Sequence, residues 1–294
     1  MKSGRTVLVT GCSDGSLGSS LALAFHAAGW RVFASARNLS KMAVVKANGI
    51  ERVELDVQSA DSVSQAVETV RVQTGGSLDA LINNAGLGYS MPITDTDMDA
   101  LRQLFELNAY SIVTVTRAFL PLLLASTQKN TIIANNTSGM GMLGCGMPFQ
   151  GGYSASKAAA ASLTESLRME LAPFGVRVVN IVTGRVKSTF FKNSNDAVLP
   201  DDSLYAVARE AIEAPMNGRS SVSDRENADD WAARVVQDLS SANPPHLIYR
   251  GGQAGTGKLA SVFPLGTWDG LFKKWSGLDV LEKELRNRED QTKS

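Results

Sequence analysis

The sequence predicts a single doubly wound α/β domain: a mostly parallel seven-stranded sheet with helices on both faces, completed by a C-terminal lid. Three observations carry this reading. Short runs rich in Val, Ile and Leu alternate with helix-length segments from Val7 to Tyr249. These runs are apolar on both faces, as strands of a parallel sheet covered on both sides must be. No Gly/Pro/Ser-rich linker interrupts the alternation, and 294 residues at 44% hydrophobic content supply one large core.

The strands are expected at Val7–Thr10, Arg31–Ala36, Val53–Leu55, Leu78–Ile82, Thr131–Asn135, Arg177–Val182 and His246–Tyr249. Each is a short β-branched or aliphatic run bounded by turn residues. Between them, Leu21–Ala28, Asp61–Gln73 and Ala100–Ala125 read as helices, the last with Asn108 inside its apolar stripe. A helix from Tyr153 is expected to stop near Leu171, ahead of Pro173 and Gly175. Two more are expected near Ser203–Ala214 and Asn227–Leu239, inside a polar segment of about 190–240 that forms the lid. Residues 1–252 are thus the main domain and 253–294 a C-terminal extension, whose charged end, Glu282–Ser294, is expected to fray.

Composition excludes several function classes. A formal net charge of +0 gives no global field for nucleic acid. Cys12 and Cys145 lack metal-ligand spacing, which points to a reduced compartment and no metal site. Met1–Arg5 lacks the pattern of a secretory signal, and the most apolar stretch, Ala118–Ala125, is too short to span a bilayer. The expected location is cytoplasmic. Gly252–Lys258 imitates a triphosphate-binding loop, but Leu259 stands where a magnesium-ligating hydroxyl is needed.

Chemistry concentrates at the carboxyl ends of the strands, where open α/β sheets bind ligands. The first strand runs into Gly11-Cys12-Ser13-Asp14-Gly15-Ser16-Leu17-Gly18 and then a helix. Glycines in such a turn let the backbone approach a pyrophosphate, whose charge is met by free amides at the helix start. Ordinary βα loops also use glycine, so the turn alone does not decide. The second strand ends in Ala36-Arg37, with a guanidinium and no carboxylate, which favours a 2′-phosphate and hence NADP(H) over NAD(H). Asp56 and Val57 end the third strand, where a carboxylate can accept from an adenine amino group or begin the next turn. Asn84, Ala85 and Gly86 follow the fourth and leave room for a flat ligand. In Tyr153-Ser154-Ala155-Ser156-Lys157, a phenol and an ammonium four residues apart share one helical face. A lysine there is expected to lower the phenol's pKa and make it a proton donor near neutrality.

With the glycine turn, Asn83-Asn84-Ala85-Gly86, Asn108, Ser138, YSASK and the strand-end Ser188 all in order, the chain resembles the short-chain dehydrogenase/reductase superfamily from about Thr6 to Gly252. TGCSDGSLG, PFQGGYSASK and LPDDSLY look most like its fungal 1-acyldihydroxyacetone-phosphate reductase-like branch. The resemblance implies a Rossmann-type fold and an NADPH-dependent ketoreductase acting on a hydrophobic lipid or secondary-metabolite carbonyl. It implies Tyr153 as general acid, Lys157 as its partner and ribose contact, Ser138 as the group polarising the carbonyl, and Asn108 as anchor of a proton-relaying water. NADPH/NADP+ would be bound by Gly11, Ser13, Gly15, Leu17, Gly18, Arg37, Asp56, Val57, Asn84, Ala85, Gly86, Tyr153, Lys157, Val186 and Ser188. The alternatives are an NADP-linked alcohol dehydrogenase, a biosynthetic enzyme with hydride transfer as one step, and a non-catalytic dinucleotide sensor. A homodimer or homotetramer is implied.

Three departures from the family pattern stand out. Ser16 sits near a glycine's place in a turn one residue longer than usual, and Thr183-Gly184 replaces proline-glycine after the sixth strand. The long loop after Ser138 carries Met140, Met142, Leu143 and Met147, which either line an apolar pocket or fill core. Trp268, Leu271, Phe272 and Trp275 form a helical stripe beside Lys273 and Lys274. Two readings stay open for it: packing on the lid or a partner subunit, and peripheral docking on membranes or lipid droplets.

Overall fold

The computed structural model describes residues 4–128, 130–142, 147–190, 196–219, 225–255, 258, 262–264 and 266–293. Its strands are β1 (Thr6–Val9), β2 (Arg31–Ala36), β3 (Glu51–Glu54), β4 (Ala80–Asn83), β5 (Thr131–Asn136), β6 (Val176–Thr183) and β7 (Leu247–Arg250). They form one sheet in the order β3-β2-β1-β4-β5-β6-β7, every pair parallel. The reversal of winding falls between β1 and β4, where register pairs Val7 with Ala80 and Val9 with Ile82. In open α/β sheets such a switch point, at the carboxyl ends, is where ligands bind.

Alternation along the strands builds two cores. Val7, Val9, Ala34, Ile82, Ile132 and Ala134 face one side, packed with Leu21 and Phe25 of α1 (Leu17–Ala27) and Trp231 and Val235 of α9 (Ala228–Leu239). Leu8, Phe33, Leu81, Ile133 and Val178 face the other, against Val63 and Val70 of α3 (Ala60–Thr74) and Val115 and Phe119 of α5 (Ser111–Leu124). Asn227 caps α9 by accepting from the Asp229 amide at 2.8 Å. That is why α9 begins where the sequence places it.

A small third cluster joins Phe149, Leu199, Ala208, Ile212, Met216 and Leu281. It ties the segment before α7 (Gly151–Leu171) to α8 (Arg209–Met216) and to α11 (Leu278–Lys293), α10 being Asp269–Ser276. The helix expected from Ser203 begins at Arg209, preceded by a 3-10 turn at Ala206–Ala208. The charged tail does not fray but is helical to Lys293. Leu281 anchors it, Lys273 pairs with Glu282 at 2.5 Å, and its Glu, Lys and Arg residues are good helix formers. Within the tryptophan stripe, Arg185 lies 5.7 Å from the Trp275 ring centroid and Leu271 is exposed.

The helix carrying Asn108 is continuous from Met98 to Leu124, and its most apolar window reaches a mean hydropathy of 1.4. That is long and apolar enough to cross a membrane, but Leu104, Ile112, Val115 and Phe119 are spent on the core. It is not uniformly α-helical. Between α4 (Met98–Phe105) and α5, residues Glu106–Tyr110 form a π-turn.

Candidate active site

The glycine turn is built by contacts as much as by torsions. Gly11 and Gly15 both have φ of 74°, a left-handed conformation that residues with a Cβ rarely adopt. A Cβ on Gly18 would lie 2.4 Å from the Gly11 carbonyl oxygen and 2.6 Å from Asn84 Nδ2, so only glycine lets α1 start against the turn. Ser16, the departure from the family pattern, has φ −83° and needs no glycine. Its hydroxyl donates to the Gly11 carbonyl at 2.8 Å and accepts the Ser19 amide at 3.1 Å, closing the turn and capping α1.

The site fits a pyrophosphate. Among the described residues, no protein acceptor meets the first-turn amides of Leu17 and Gly18. The one carboxylate in the turn, Asp14, is held away, accepting the Ala43 and Val44 amides at 2.9 Å each. Arg37 is exposed just beyond β2 and enters no ion pair among the described residues. Cys12 is wholly buried, and burial pushes its thiol up to about 12, so it serves as core.

Asn84 and Ala85 are fixed to the end of β1, both amides donating to Thr10 Oγ1, at 2.9 and 3.0 Å. Asn84 Nδ2 donates to the Thr10 carbonyl at 2.9 Å. A Cβ on Gly86 would come 3.1 Å from Asn108 Oδ1 and 3.4 Å from Lys157 Nζ, so this glycine gives both groups room.

Tyr153, Lys157, Ser138 and Asn108 converge. Ser138, two residues past β5, accepts the Met140 amide at 3.2 Å and sits close enough to the Tyr153 phenol to lower its pKa. Asn108, 1% exposed, is aimed by the π-turn: Oδ1 accepts the Leu87 amide at 2.9 Å, and Nδ2 donates to the Leu87 carbonyl at 2.9 Å and to Ser156 Oγ at 3.0 Å. Both amide protons are therefore committed, leaving one Oδ1 lone pair for a water. Ser156 donates in turn to the Tyr153 carbonyl at 2.8 Å, which binds the tyrosine's own turn of α7 to Asn108. Gly141 belongs to the same arrangement, since a Cβ there would meet the Lys157 carbonyl carbon at 2.5 Å.

The electrostatics correct one expectation. Burial holds the Tyr153 phenol above its ordinary range, and only the Ser138 bond pulls it down. Lys157 does not lower it, because its ammonium is turned to the Asn136 carbonyl at 3.0 Å. Burial in turn pushes Lys157 down to about 8. The phenol is thus firmly protonated at neutral pH, the state in which it can give a proton away.

The other expected residues lie around this centre. Asp56 Oδ1 accepts the Gln58 amide at 3.0 Å, and Val57 is buried beside it. Val186 bridges to Glu226. Ser188 Oγ accepts the Phe190 amide at 3.3 Å. Ser13 accepts the Ser16 amide through its carbonyl. Of the methionine-rich loop, Met140, Met142 and Met147 are half-buried, while Leu143 lies outside the described residues.

Three residues of the site escaped the sequence reading, and a fourth, Thr183, entered it only as a departure from the family pattern. Phe190 packs edge-on to Tyr153, with ring centroids 5.8 Å apart, and its Cε1 would be 2.7 Å from a Cβ on Gly88. Thr189 donates its amide to the Gly15 carbonyl at 3.0 Å. Asn136 and Thr183 bond to each other at 2.5 Å. The repeated Asn-Asn at the ends of β4 and β5 was the available signal, because paired amides at strand ends need partners.

Comparison with known proteins bears on the family and the fold. The short chain dehydrogenase family profile matches residues 5–199. A short-chain dehydrogenase/reductase from Pestalotiopsis microspora is 41% identical over 285 residues, covering 96% of this chain and 97% of the relative. An NADPH-dependent 1-acyldihydroxyacetone phosphate reductase from Schizosaccharomyces pombe is 33% identical, covering 90% of this chain and 92% of its own length. The crystal structure of a short-chain dehydrogenase from Streptomyces avermitilis superposes with a TM-score of 0.74 at 26% identity, over 100% of this chain and 98% of the other.

Proposed function

The chain belongs to the short-chain dehydrogenase/reductase family of oxidoreductases, and from that premise we propose that it is an NADPH-dependent reductase of a hydrophobic ketone, with Tyr153 as general acid. The observation that carries the reading is geometric: Tyr153 and the buried Lys157 lie one turn apart on α7, with Lys157 held by the Asn136 carbonyl and Asn108 tied to the same turn through Ser156. Bound NADPH would supply the hydride. Ser138 then holds the carbonyl oxygen, and Tyr153 gives its proton to the alkoxide that develops there. Lys157, cationic near neutrality and held by the Asn136 carbonyl, would bond the nicotinamide ribose, and Asn108 offers its remaining lone pair to a water that resupplies the proton.

Arg37 and the absence of a carboxylate at Ala36 support NADP(H), as does the NADPH-dependence of the Schizosaccharomyces pombe relative. Phe190 beside Tyr153 supports an apolar substrate. Tyr110, Leu124 and Met169, exposed on the helices that carry Asn108 and Tyr153, support a homo-oligomer.

The test is NADPH oxidation against a panel of acyl-dihydroxyacetone phosphate, steroid, retinoid and polyketide ketones. Replacing Tyr153 with Phe is expected to cut turnover about 10²–10⁴-fold while leaving NADPH affinity unchanged. Persisting turnover in that variant would remove Tyr153 from the acid's role.

A further inference from the structure

The geometry points to Asn136, set in place by Thr183, as the positioning residue that holds the Lys157 ammonium in the site. A line of side-chain bonds crosses the carboxyl ends of four strands. Thr183, the last residue of β6, donates from Oγ1 to Asn136 Oδ1 at 2.5 Å. Asn136, the last residue of β5, donates from Nδ2 to Asn84 Oδ1 at 2.9 Å. Asn84, just past β4, donates from Nδ2 to the Thr10 carbonyl beyond β1 at 2.9 Å.

The direction of the line is forced. A carbonyl at Thr10 can only accept, so Asn84 must present Oδ1 to Asn136. Asn136 must therefore present Nδ2 to Asn84 and Oδ1 to Thr183, whose hydroxyl is the donor. Asn136 and Thr183 are each 8% exposed, so water is a poor substitute for either partner.

Lys157 enters through the main chain of Asn136. The β4–β5 ladder ends at the pair Asn83–Asn135. The next carbonyl on β5, that of Asn136, accepts Lys157 Nζ at 3.0 Å. Lys157 is 5% exposed and forms no ion pair with a carboxylate among the described residues, so this neutral oxygen is what the ammonium rests on. The peptide that carries this carbonyl is held at its N–H by the Ile181 carbonyl, which accepts the Thr137 amide at 2.9 Å, and on the Asn136 side by a side chain that the Thr183 hydroxyl fixes. Where the family pattern has proline, a residue with no hydroxyl, this chain has the donor that completes the line. Removing that hydroxyl frees the Asn136 amide to turn over, breaks its bond to Asn84, and leaves the carbonyl steadied from the Thr137 side only, so that its bond to Lys157 weakens.

The inference deepens the proposed role of Lys157 and rests on it for function, but its test needs no turnover. In the whole protein with 13Cε-labelled lysine, the Lys157 resonance is assigned by its loss in Lys157→Met and its titration followed by NMR. Thr183→Val keeps the shape and removes the donor. It is expected to lower the Lys157 midpoint by about one pH unit, the effect of weakening a hydrogen bond to a charged group. Thr183→Ser restores the hydroxyl and is expected to return the midpoint to the wild-type value. Circular dichroism establishes that both variants are folded. An unmoved midpoint in folded Thr183→Val, or a shift in Thr183→Ser as large as in Thr183→Val, would overturn the positioning role. Active Tyr153→Phe enzyme alongside a shifted Thr183→Val midpoint would overturn the reductase mechanism and leave the positioning role standing.

Discussion

Replacing Lys157 with Met should make the ligand-free protein more stable and inactive together. The ammonium is 5% exposed, and the acceptor it meets is the neutral Asn136 carbonyl at 3.0 Å. Burial pushes its pKa from an ordinary 10.5 to about 8. A lysine lowered in this way is protonated more readily in the unfolded chain. Stability therefore rises with pH between about 8 and 10.5, and the full penalty is present below about 8. At about 1.4 kcal/mol per pH unit, that penalty is about 3 kcal/mol at pH 7. Methionine keeps the length of the side chain and removes the charge, at a cost of about 1 kcal/mol for the lost hydrogen bond. The expected net gain is about 2 kcal/mol at pH 7, falling to nothing by about pH 9.5 as the wild-type lysine loses its proton. Urea unfolding of both proteins at the two pH values measures it. A variant no more stable than wild type at pH 7, or a difference that does not change with pH, would refute the account of Lys157 as an uncompensated buried cation.

Two further substitutions probe the cofactor half. Gly18→Ala places a methyl 2.4 Å from the Gly11 carbonyl oxygen, a backbone atom that cannot rotate away. It should cost about 2–3 kcal/mol in urea unfolding and weaken NADPH binding at least about tenfold by fluorescence titration. Arg37→Ala should raise the KM for NADPH about 10–100-fold, the worth of a charge-assisted phosphate contact, while moving the KM for NADH less than about twofold. Equal effects on both coenzymes would take Arg37 out of the 2′-phosphate site.

The parts of this site were legible because each is local. β2 was read to its residues from one short, mostly apolar run, and α9 to within one residue of its start, where the Asn227 cap acts only two residues away. The glycines of the turn and the Tyr153–Lys157 spacing likewise sit within single elements. What was not legible depends on groups far apart in the chain. The π-turn at Glu106–Tyr110 leaves the apolar stripe of its helix almost unchanged, so periodicity does not reveal it. Its purpose appears only when Asn108 meets Leu87, 21 residues earlier. The tyrosine's pKa was read from its nearest charge in sequence, but Lys157 turns to a carbonyl on another strand and burial decides instead.

The same division explains why strand-end asparagines carry so much of the arrangement. A parallel ladder pairs backbone groups only as far as both strands run, and past that point the C-terminal edge has donors and acceptors with no neighbour. Asn84, Asn136 and Thr183 continue the pairing with side chains, at 2.9 Å and 2.5 Å, beyond the last backbone register. That edge is also where the phosphate turn, Ser138 and Lys157 must be held in fixed relation. Ordinary hydrophobic packing cannot supply this, because it is non-directional and the crevice must stay open. A directional polar line can. Its cost is a set of buried amides that tolerate no missing partner, so changes at Asn136 or Thr183 should be felt at Lys157 and at Asn84 together.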